Sequence, residues 1–191
     1  LLLSRCAMGY RPQSLAADEL QKVLQNSPWE GPGRGQEMTS HNSRFTFIGA
    51  HNFDGFRQMV KRFGAMQTSF SEREKNLFSG GIIVSFSDRS EDEIEHCLET
   101  LAKAPCLASK LTLTRFRHPR AAGEEKLARV HKSLVGGSSF DHMEMVFDPD
   151  WKDIEHNLSS SKAQNCLVVG SYYFVSTFQQ FLLSRSSAGE L

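Results

Sequence analysis

This chain of 191 residues lacks the features that would place it in several large functional classes. Its formal net charge is zero, so no overall electrostatic attraction supports nucleic-acid binding. No apolar run approaches the ~20 residues that a membrane-spanning helix needs. The four cysteines show no metal-ligand spacing, which favours reduced structural thiols and an intracellular protein, cytoplasmic or mitochondrial.

Two further absences bear on catalysis. The sequence contains no phosphate-binding loop of the Gly-x-x-x-x-Gly-Lys-Ser/Thr type, so this chain by itself lacks the usual means of holding ATP phosphates. Five histidines are scattered along the chain without the spacing of metal ligands, so no metal site is expected. They are His41, His96, His131, His142 and His156.

What the sequence does have is a regular alternation of short apolar segments and amphipathic segments. Strands are predicted at 45–50, 81–86, 111–116, 145–147 and 166–170, with a helical pattern after each. Strands of continuous apolar character between amphipathic helices are typical of a parallel sheet covered on both faces. The pattern therefore predicts an α/β fold, with a Rossmann-like, mainly parallel sheet and helices on both faces.

Helix starts are marked by polar residues. Ser90 and Glu93 have the spacing of a capping box, in which each side chain bonds the other's free backbone amide. Asp148 followed by Pro149 predicts a helix capped by Asp148 and beginning at the proline. Ser171 is predicted to start the last helix.

The termini are expected to lie outside the main domain. Residues 14–25 predict an amphipathic helix and residues 26–36, rich in Gly and Pro, a linker. We interpret 1–27 as helix and linker connecting to, or remaining from, an upstream domain. A longer protein and a processed precursor both fit this interpretation. The α/β domain is predicted to span 28–184, followed by a flexible tail at 185–191.

Polar side chains follow the predicted strands. His51 and Asn52 follow the first strand, Asp88 and Arg89 the second, Arg120 the third, and Ser171 the last. In an open parallel sheet, ligands bind outside the carboxyl ends of the strands. Loops are polar on most proteins, however, so spacing alone leaves a binding edge and an ordinary loop surface as alternatives.

Five short motifs occur in a fixed order along these strand ends. They lie at residues 32–36 (Pro-Gly-Arg-Gly-Gln), 49–52 (Gly-Ala-His-Asn), 85–89 (Ser-Phe-Ser-Asp-Arg), 118–121 (His-Pro-Arg-Ala) and 168–175 (Val-Val-Gly-Ser-Tyr-Tyr-Phe-Val). The series resembles the C-terminal domain of the folylpolyglutamate synthases and dihydrofolate synthases, which form the folate branch of the Mur-ligase family. The resemblance covers about residues 28–183.

The resemblance implies the C-terminal domain of an ATP-dependent ligase that adds glutamate to folate through an acyl phosphate. It implies ATP and Mg²⁺ as cofactors, folate and glutamate as substrates, and an N-terminal ATPase domain as partner. His51 and Asn52 would lie near the phosphates or the reacting carboxylate, as the catalytic pair. The cofactor-binding residues that it implies are Arg34, which would contact the nucleotide across the domain cleft, together with Asp88, Arg89, Arg120 and Ser171.

One position departs from the family pattern. Ile48 stands where the family has an acid before Gly-Ala-His, at a place typical of a ribose-binding carboxylate. Whether the chain is an enzyme therefore stays open. The alternative is a degenerate, non-catalytic homologue that serves as a structural subunit of a larger assembly, mitochondrial in one version. A third hypothesis is binding without catalysis, in which Arg34 and His51 hold a nucleotide or folate.

Overall fold

The structure is a computed structural model that describes residues 34–67, 77–104, 107–135, 137–158 and 164–188. The helix predicted at 14–25, and most of the Gly- and Pro-rich linker after it, lie outside the described residues.

The described residues form one six-stranded sheet. Its strands are β1 (Arg34–Ser40), β2 (Ser43–Ile48), β3 (Gly81–Ser85), β4 (Lys110–Leu113), β5 (Glu144–Phe147) and β6 (Asn165–Gly170). Their order across the sheet is β1-β2-β6-β3-β4-β5. β1 runs antiparallel to β2 and all other neighbours are parallel. The prediction of an α/β fold with a mainly parallel sheet is confirmed.

In the described ranges, four helices connect these strands and a fifth follows β6. They are α1 (Phe53–Gln67), α2 (Glu91–Ala102), α3 (Glu124–Leu134), α4 (Lys152–Leu158) and α5 (Tyr172–Ala188), with a short 3₁₀ turn at Ser138–Phe140. None of the helices in the described ranges is both long and apolar enough to cross a membrane.

Alternate residues of the central strands pack into two separate apolar clusters. In β3, Ile82 and Val84 face the cluster formed with α1, α2 and α3, whereas Ile83 faces the cluster formed with α4 and α5. Every residue of β3 is buried, as expected for a strand covered on both faces. The second cluster is rich in phenylalanine, with Phe178 of α5 tilted against both Phe45 and Phe47 of β2.

The strand β1 was missed by the sequence analysis. Residues 34–36 were predicted as linker, but they open this edge strand, whose sequence is largely polar and carries no apolar alternation. It joins β2 through a two-residue turn in which His41 and Asn42 both have positive φ, 49° and 64°. That geometry matches the right-handed twist of a hairpin.

The start of α4 also differs from the prediction. The helix begins at Lys152 rather than at Pro149, because Trp151 has a φ of +64°, outside the helical region. Asp148 nevertheless caps it: its buried carboxylate accepts hydrogen bonds from the amide nitrogens of Lys152 and Ile154 at 2.9 and 3.0 Å.

The other helix ends agree more closely with the sequence. Ser90 is the N-cap of α2, and its hydroxyl accepts a hydrogen bond from the Glu93 amide at 3.2 Å. At the C-terminus, α5 continues to Ala188, although a flexible tail was predicted from 185 onward. The last three residues lie outside the described part of the chain.

Two cysteines fall within the described residues. Cys97 in α2 and Cys166 in β6 are free and buried. Burial raises the pKa of the Cys97 thiol to about 11 and that of Cys166 to about 12. Both thiols are therefore protonated at neutral pH, which fits the predicted structural role.

The Asp148 cap gives a stability prediction. Asp148→Ala leaves two backbone amides without their acceptor, so we expect the free energy of unfolding to fall by about 2–3 kcal/mol. Ser90→Ala, which removes an exposed cap, should cost only about 1 kcal/mol. Urea denaturation of both variants measures the difference. An Asp148→Ala loss no larger than that of Ser90→Ala would contradict the role given to Asp148.

Candidate functional site

The strand order creates a topological switch point at the carboxyl end of β6, the position at which open α/β sheets usually have a ligand-binding crevice. This strand lies between β2 and β3, yet the chain leaves it into α5 on one face of the sheet. From β2 and β3 the chain leaves into α1 and α2 on the other face. Neighbouring strands whose connections part in this way form the usual ligand site of open α/β sheets. The predicted site residues at the ends of β2, β3 and β6 therefore belong to one edge.

The tip of β6 is held by a close backbone approach to β3. Gly170 has a φ of +133°, and a Cβ on it would lie 1.9 Å from the Ser85 carbonyl oxygen. The Ser171 amide donates to the same oxygen at 3.1 Å. Only glycine fits here, because any side chain would overlap the neighbouring strand and meet a φ that L-residues rarely adopt.

Ser171 is buried and occupied by structural contacts. Its hydroxyl lies 2.7 Å from that of Ser87, which ties the tips of β6 and β3 together. The same oxygen accepts a hydrogen bond from the Tyr173 amide at 3.3 Å and so caps α5. Ser171 thus fixes the crevice in place and has little hydroxyl left to offer a ligand.

Of the two predicted catalytic residues, Asn52 has a structural role and His51 is exposed. The Asn52 side-chain oxygen accepts a hydrogen bond from the Gly55 amide at 2.8 Å, which makes Asn52 the N-cap of α1. His51 is exposed, and its ring lies 5.5 Å from the ring of Tyr172. Tyr172 in turn covers Gly49, where a Cβ would lie 2.1 Å from the tyrosine ring.

Asp88 and Arg89 both accept hydrogen bonds from Lys126. The Asp88 carboxylate accepts a hydrogen bond from Lys126 Nζ of α3 at 2.5 Å, and the same nitrogen donates to the Arg89 carbonyl at 2.8 Å. The Nε of Arg89 is buried, and it has no hydrogen-bond partner among the described residues. Its positive charge acts on Cys97, where it opposes the effect of burial by lowering the pKa of that thiol.

Arg120 belongs to a cluster with His118 and Tyr173, neither of which was predicted as a site residue. The rings of His118 and Tyr173 are stacked, with centroids 4.2 Å apart and planes 20° from parallel. Arg120 Nη1 donates to the Tyr173 hydroxyl at 3.3 Å, and the Arg120 amide donates to His118 Nδ1 at 3.1 Å. Tyr172 and Tyr173 were not predicted as site residues. They lie in the first turn of α5, and no sequence pattern distinguishes a binding residue from an ordinary surface residue there.

Ile48 and Arg34 are the remaining residues to which the family resemblance gave a role. Ile48 is partly buried and packs against the apolar cluster of α1, α2 and α3. The position at which the family resemblance implies a ribose-binding acid therefore belongs to the edge of the apolar core. Arg34 begins β1, and its side chain lies outside the described part of the chain.

The edge as a whole offers two exposed polar groups beside aromatic rings, His51 with Tyr172 and Arg120 with Tyr173. Such groups suit anions that also carry a planar moiety, because cations and ring N–H groups bind anionic oxygens and tyrosines stack. Within the described ranges, His, Cys, Asp and Glu side chains form no group that could hold a metal ion.

Comparison with known proteins identifies the fold. No family model and no curated protein matches this sequence. Among solved structures, 95% of the chain superimposes on folylpolyglutamate synthase from Thermotoga maritima, with a TM-score of 0.54 and 18% identity. E. coli FolC in complex with ADP matches 92% of the chain with a TM-score of 0.57 and 18% identity. The Mycobacterium tuberculosis enzyme complexed with ADP and AMPPCP matches 88%, with a TM-score of 0.56 and 17% identity.

The match extends over only part of those proteins. The chain covers 36% of each of the three, in their C-terminal part. At this level of identity the likeness establishes the fold. The α/β domain thus has the fold of the C-terminal domain of FolC, as the resemblance implied.

The close approach at the tip of β6 gives a second prediction. Gly170→Ala should lower the free energy of unfolding by about 3 kcal/mol or more, because the new methyl group overlaps the Ser85 carbonyl and the backbone is strained. Gly64→Ala, in the last turn of α1 with open space around it, should be neutral or stabilising by up to about 1 kcal/mol. Thermal unfolding of the two variants compares them, and equal effects would contradict the tight contact.

Proposed function

We propose that this domain forms the ligand-facing wall of an ATP-dependent carboxylate–amine ligase of the folylpolyglutamate synthase type. In this role it supplies binding and orientation, and the bond-making groups and phosphate loop lie elsewhere in the assembly. One observation supports the proposal: His51 and Arg120 are exposed at the carboxyl edge of a sheet whose fold is shared with those ligases, and α/β sheets bind ligands at this edge.

The chemistry assigned to such a ligase explains why these residue types fit. A γ-phosphoryl group passes from ATP to a substrate carboxylate, and the acyl phosphate is then attacked by the amine of glutamate, which releases phosphate. Negative charge on phosphoryl oxygens is high throughout, so cationic and hydrogen-bond-donating groups stabilise it. Arg120 and His51 are assigned to this role, with Arg34 added by its motif.

The remaining motif residues act as supports in this proposal. Asn52 and Ser171 hold the N-termini of α1 and α5 at the crevice. Asp88 fixes Lys126 beside it through the ion pair. Mg²⁺ would be held by the nucleotide phosphates and by the ATPase domain, because the described residues here offer no ligand cluster.

A second function, the non-catalytic structural module, is favoured by Ile48. An isoleucine packed on the apolar core cannot accept a hydrogen bond from a ribose hydroxyl, and leaving a buried hydroxyl unpaired costs roughly 1–3 kcal/mol. In that case the same edge would contact a neighbouring subunit rather than a nucleotide.

Nucleotide binding tests the first function. We expect ADP to bind this chain when it is joined to an ATPase domain that carries the phosphate loop, and Arg120→Gln to weaken that binding about tenfold, because a charge-assisted bond to phosphate contributes roughly 1.5 kcal/mol. Arg62→Gln, which removes an exposed cation from α1, is the matched control and should leave the affinity unchanged. Isothermal titration calorimetry measures both. An ADP affinity of that assembly that Arg120→Gln leaves unchanged would favour the structural module.

Ile48→Asp separates the two functions further. The carboxylate would restore an acceptor for a ribose hydroxyl and should strengthen ADP binding several-fold. It should also lower the free energy of unfolding by about 1–3 kcal/mol, since an apolar contact is lost and a charge is partly buried. Calorimetry at a temperature well below the melting point measures the ADP affinity, and urea denaturation measures the free energy of unfolding. Lower stability with no gain in affinity would mean that no ribose lies beside residue 48.

A further inference from the structure

A cleft of about 460 Å³ lies on the α4 and α5 face of the sheet, apart from the crevice at β6. It is bounded by the segments that follow β4 and β5 and by one side of α5. Three aromatic side chains, Phe116, Trp151 and Phe181, line it. This volume is within the range of small-molecule sites, about 300–1,000 Å³.

The aromatic wall is held by a strained residue. Trp151 has a φ of +64°, which a bulky side chain rarely adopts. The conformation is fixed by a hydrogen bond from the indole Nε1 to the Arg115 carbonyl at 2.7 Å and by edge-to-face packing on Phe181 at 4.9 Å. Strain of this kind persists where the surroundings over-determine it, and it is concentrated at ligand sites.

Most charges around the cleft are neutralised within the fold. Arg115 pairs with Glu124 at 3.2 Å and with Asp150 at 3.3 Å. Glu155 pairs with Arg185 at 2.7 Å. Lys152 Nζ, 3.8 Å from the other carboxylate oxygen of Asp150, balances the remaining negative charge. These groups hold the walls together.

Two polar side chains of the lining are not used in this way. The exposed Arg117 guanidinium has no hydrogen bond or ion pair among the described residues, and neither does the amide of Gln180. The cleft therefore combines an aromatic wall with one uncompensated positive charge and one free amide.

We propose that this cleft binds a planar aromatic monoanion. The ring system packs against Trp151 and Phe181, and the carboxylate is bound by Arg117 with the Gln180 amide as a second donor. A planar guanidinium recognises a carboxylate through two parallel hydrogen bonds, which accounts for the choice of anion. The inference does not depend on the proposed ligase function, because none of the residues assigned to nucleotide binding lines this cleft.

The test uses 2-naphthoate as the probe and 2-naphthamide as its neutral counterpart. We expect 2-naphthoate to bind the full chain saturably, with a dissociation constant on the order of 1 mM or below for a ligand of this size. Arg117→Gln should weaken 2-naphthoate about five- to tenfold and leave 2-naphthamide unchanged. Phe181→Ala should weaken both probes. Calorimetry gives the affinities, and circular dichroism shows that each variant is folded.

Matched controls separate this cleft from the strand-tip crevice. Arg62→Gln removes another exposed arginine, from α1, and Arg120→Gln removes one from the strand-tip edge. Neither should change the affinity for 2-naphthoate. An absence of saturable binding up to about 10 mM would overturn the proposal. So would equal losses in Arg117→Gln and Arg62→Gln, or stronger binding of the amide than of the acid.

Discussion

The rest of the structure depends on the insertion of β6 between β2 and β3. This strand forms five backbone pairs with each neighbour, and its register with β3 is complete only because Gly170 carries no side chain against the Ser85 carbonyl. From that contact follow the hydrogen bond between Ser171 and Ser87 and the cap that starts α5. Because α5 carries the aromatic cluster of one face, a displaced β6 tip would disturb the crevice and the core together.

The motif residues at this edge serve the fold as much as any ligand. Asn52 and Ser171 cap helices and Asp88 holds Lys126, so each would be needed even in a domain that binds nothing. The side chains of His51 and Arg120 are exposed, and among the described residues each contacts a tyrosine. A strand-tip motif can therefore be diagnostic of a fold, while the ability to bind a ligand depends on the few motif residues that do not stabilise that fold.

The predictability of each element follows its physical cause. The strands β3 and β6 were predictable because burial on both faces demands continuous apolar runs, and α2 because its Ser90 cap is local, although the Glu93 carboxylate meets the Ser90 hydroxyl instead of the Ser90 amide. The edge strand β1 was not, since it is held by backbone pairing and carries a polar sequence. The start of α4 was misplaced because tertiary contacts of Trp151 override the helix signal of Asp148 and Pro149.

The same limit applies to the site. Strand-end residues could be foreseen, because parallel strands bring their carboxyl ends to one edge. The contributions of Tyr172, Tyr173 and Lys126 depend on how α5 and α3 lie beside that edge, and the linear sequence does not contain this information.

The outer strands of the sheet have a consequence for self-association. An unpaired strand edge is a template on which a second chain can add its own strand, and a series of such additions builds fibres. The edge strand β1 is interrupted by a bulge at Gly35 and carries Glu37, which is ion-paired with Arg44 of β2. At the opposite edge, His131 Nε2 lies 3.2 Å from the Met145 carbonyl of β5 and occupies an acceptor there. At both borders of the described sheet, these features work against the addition of a further strand.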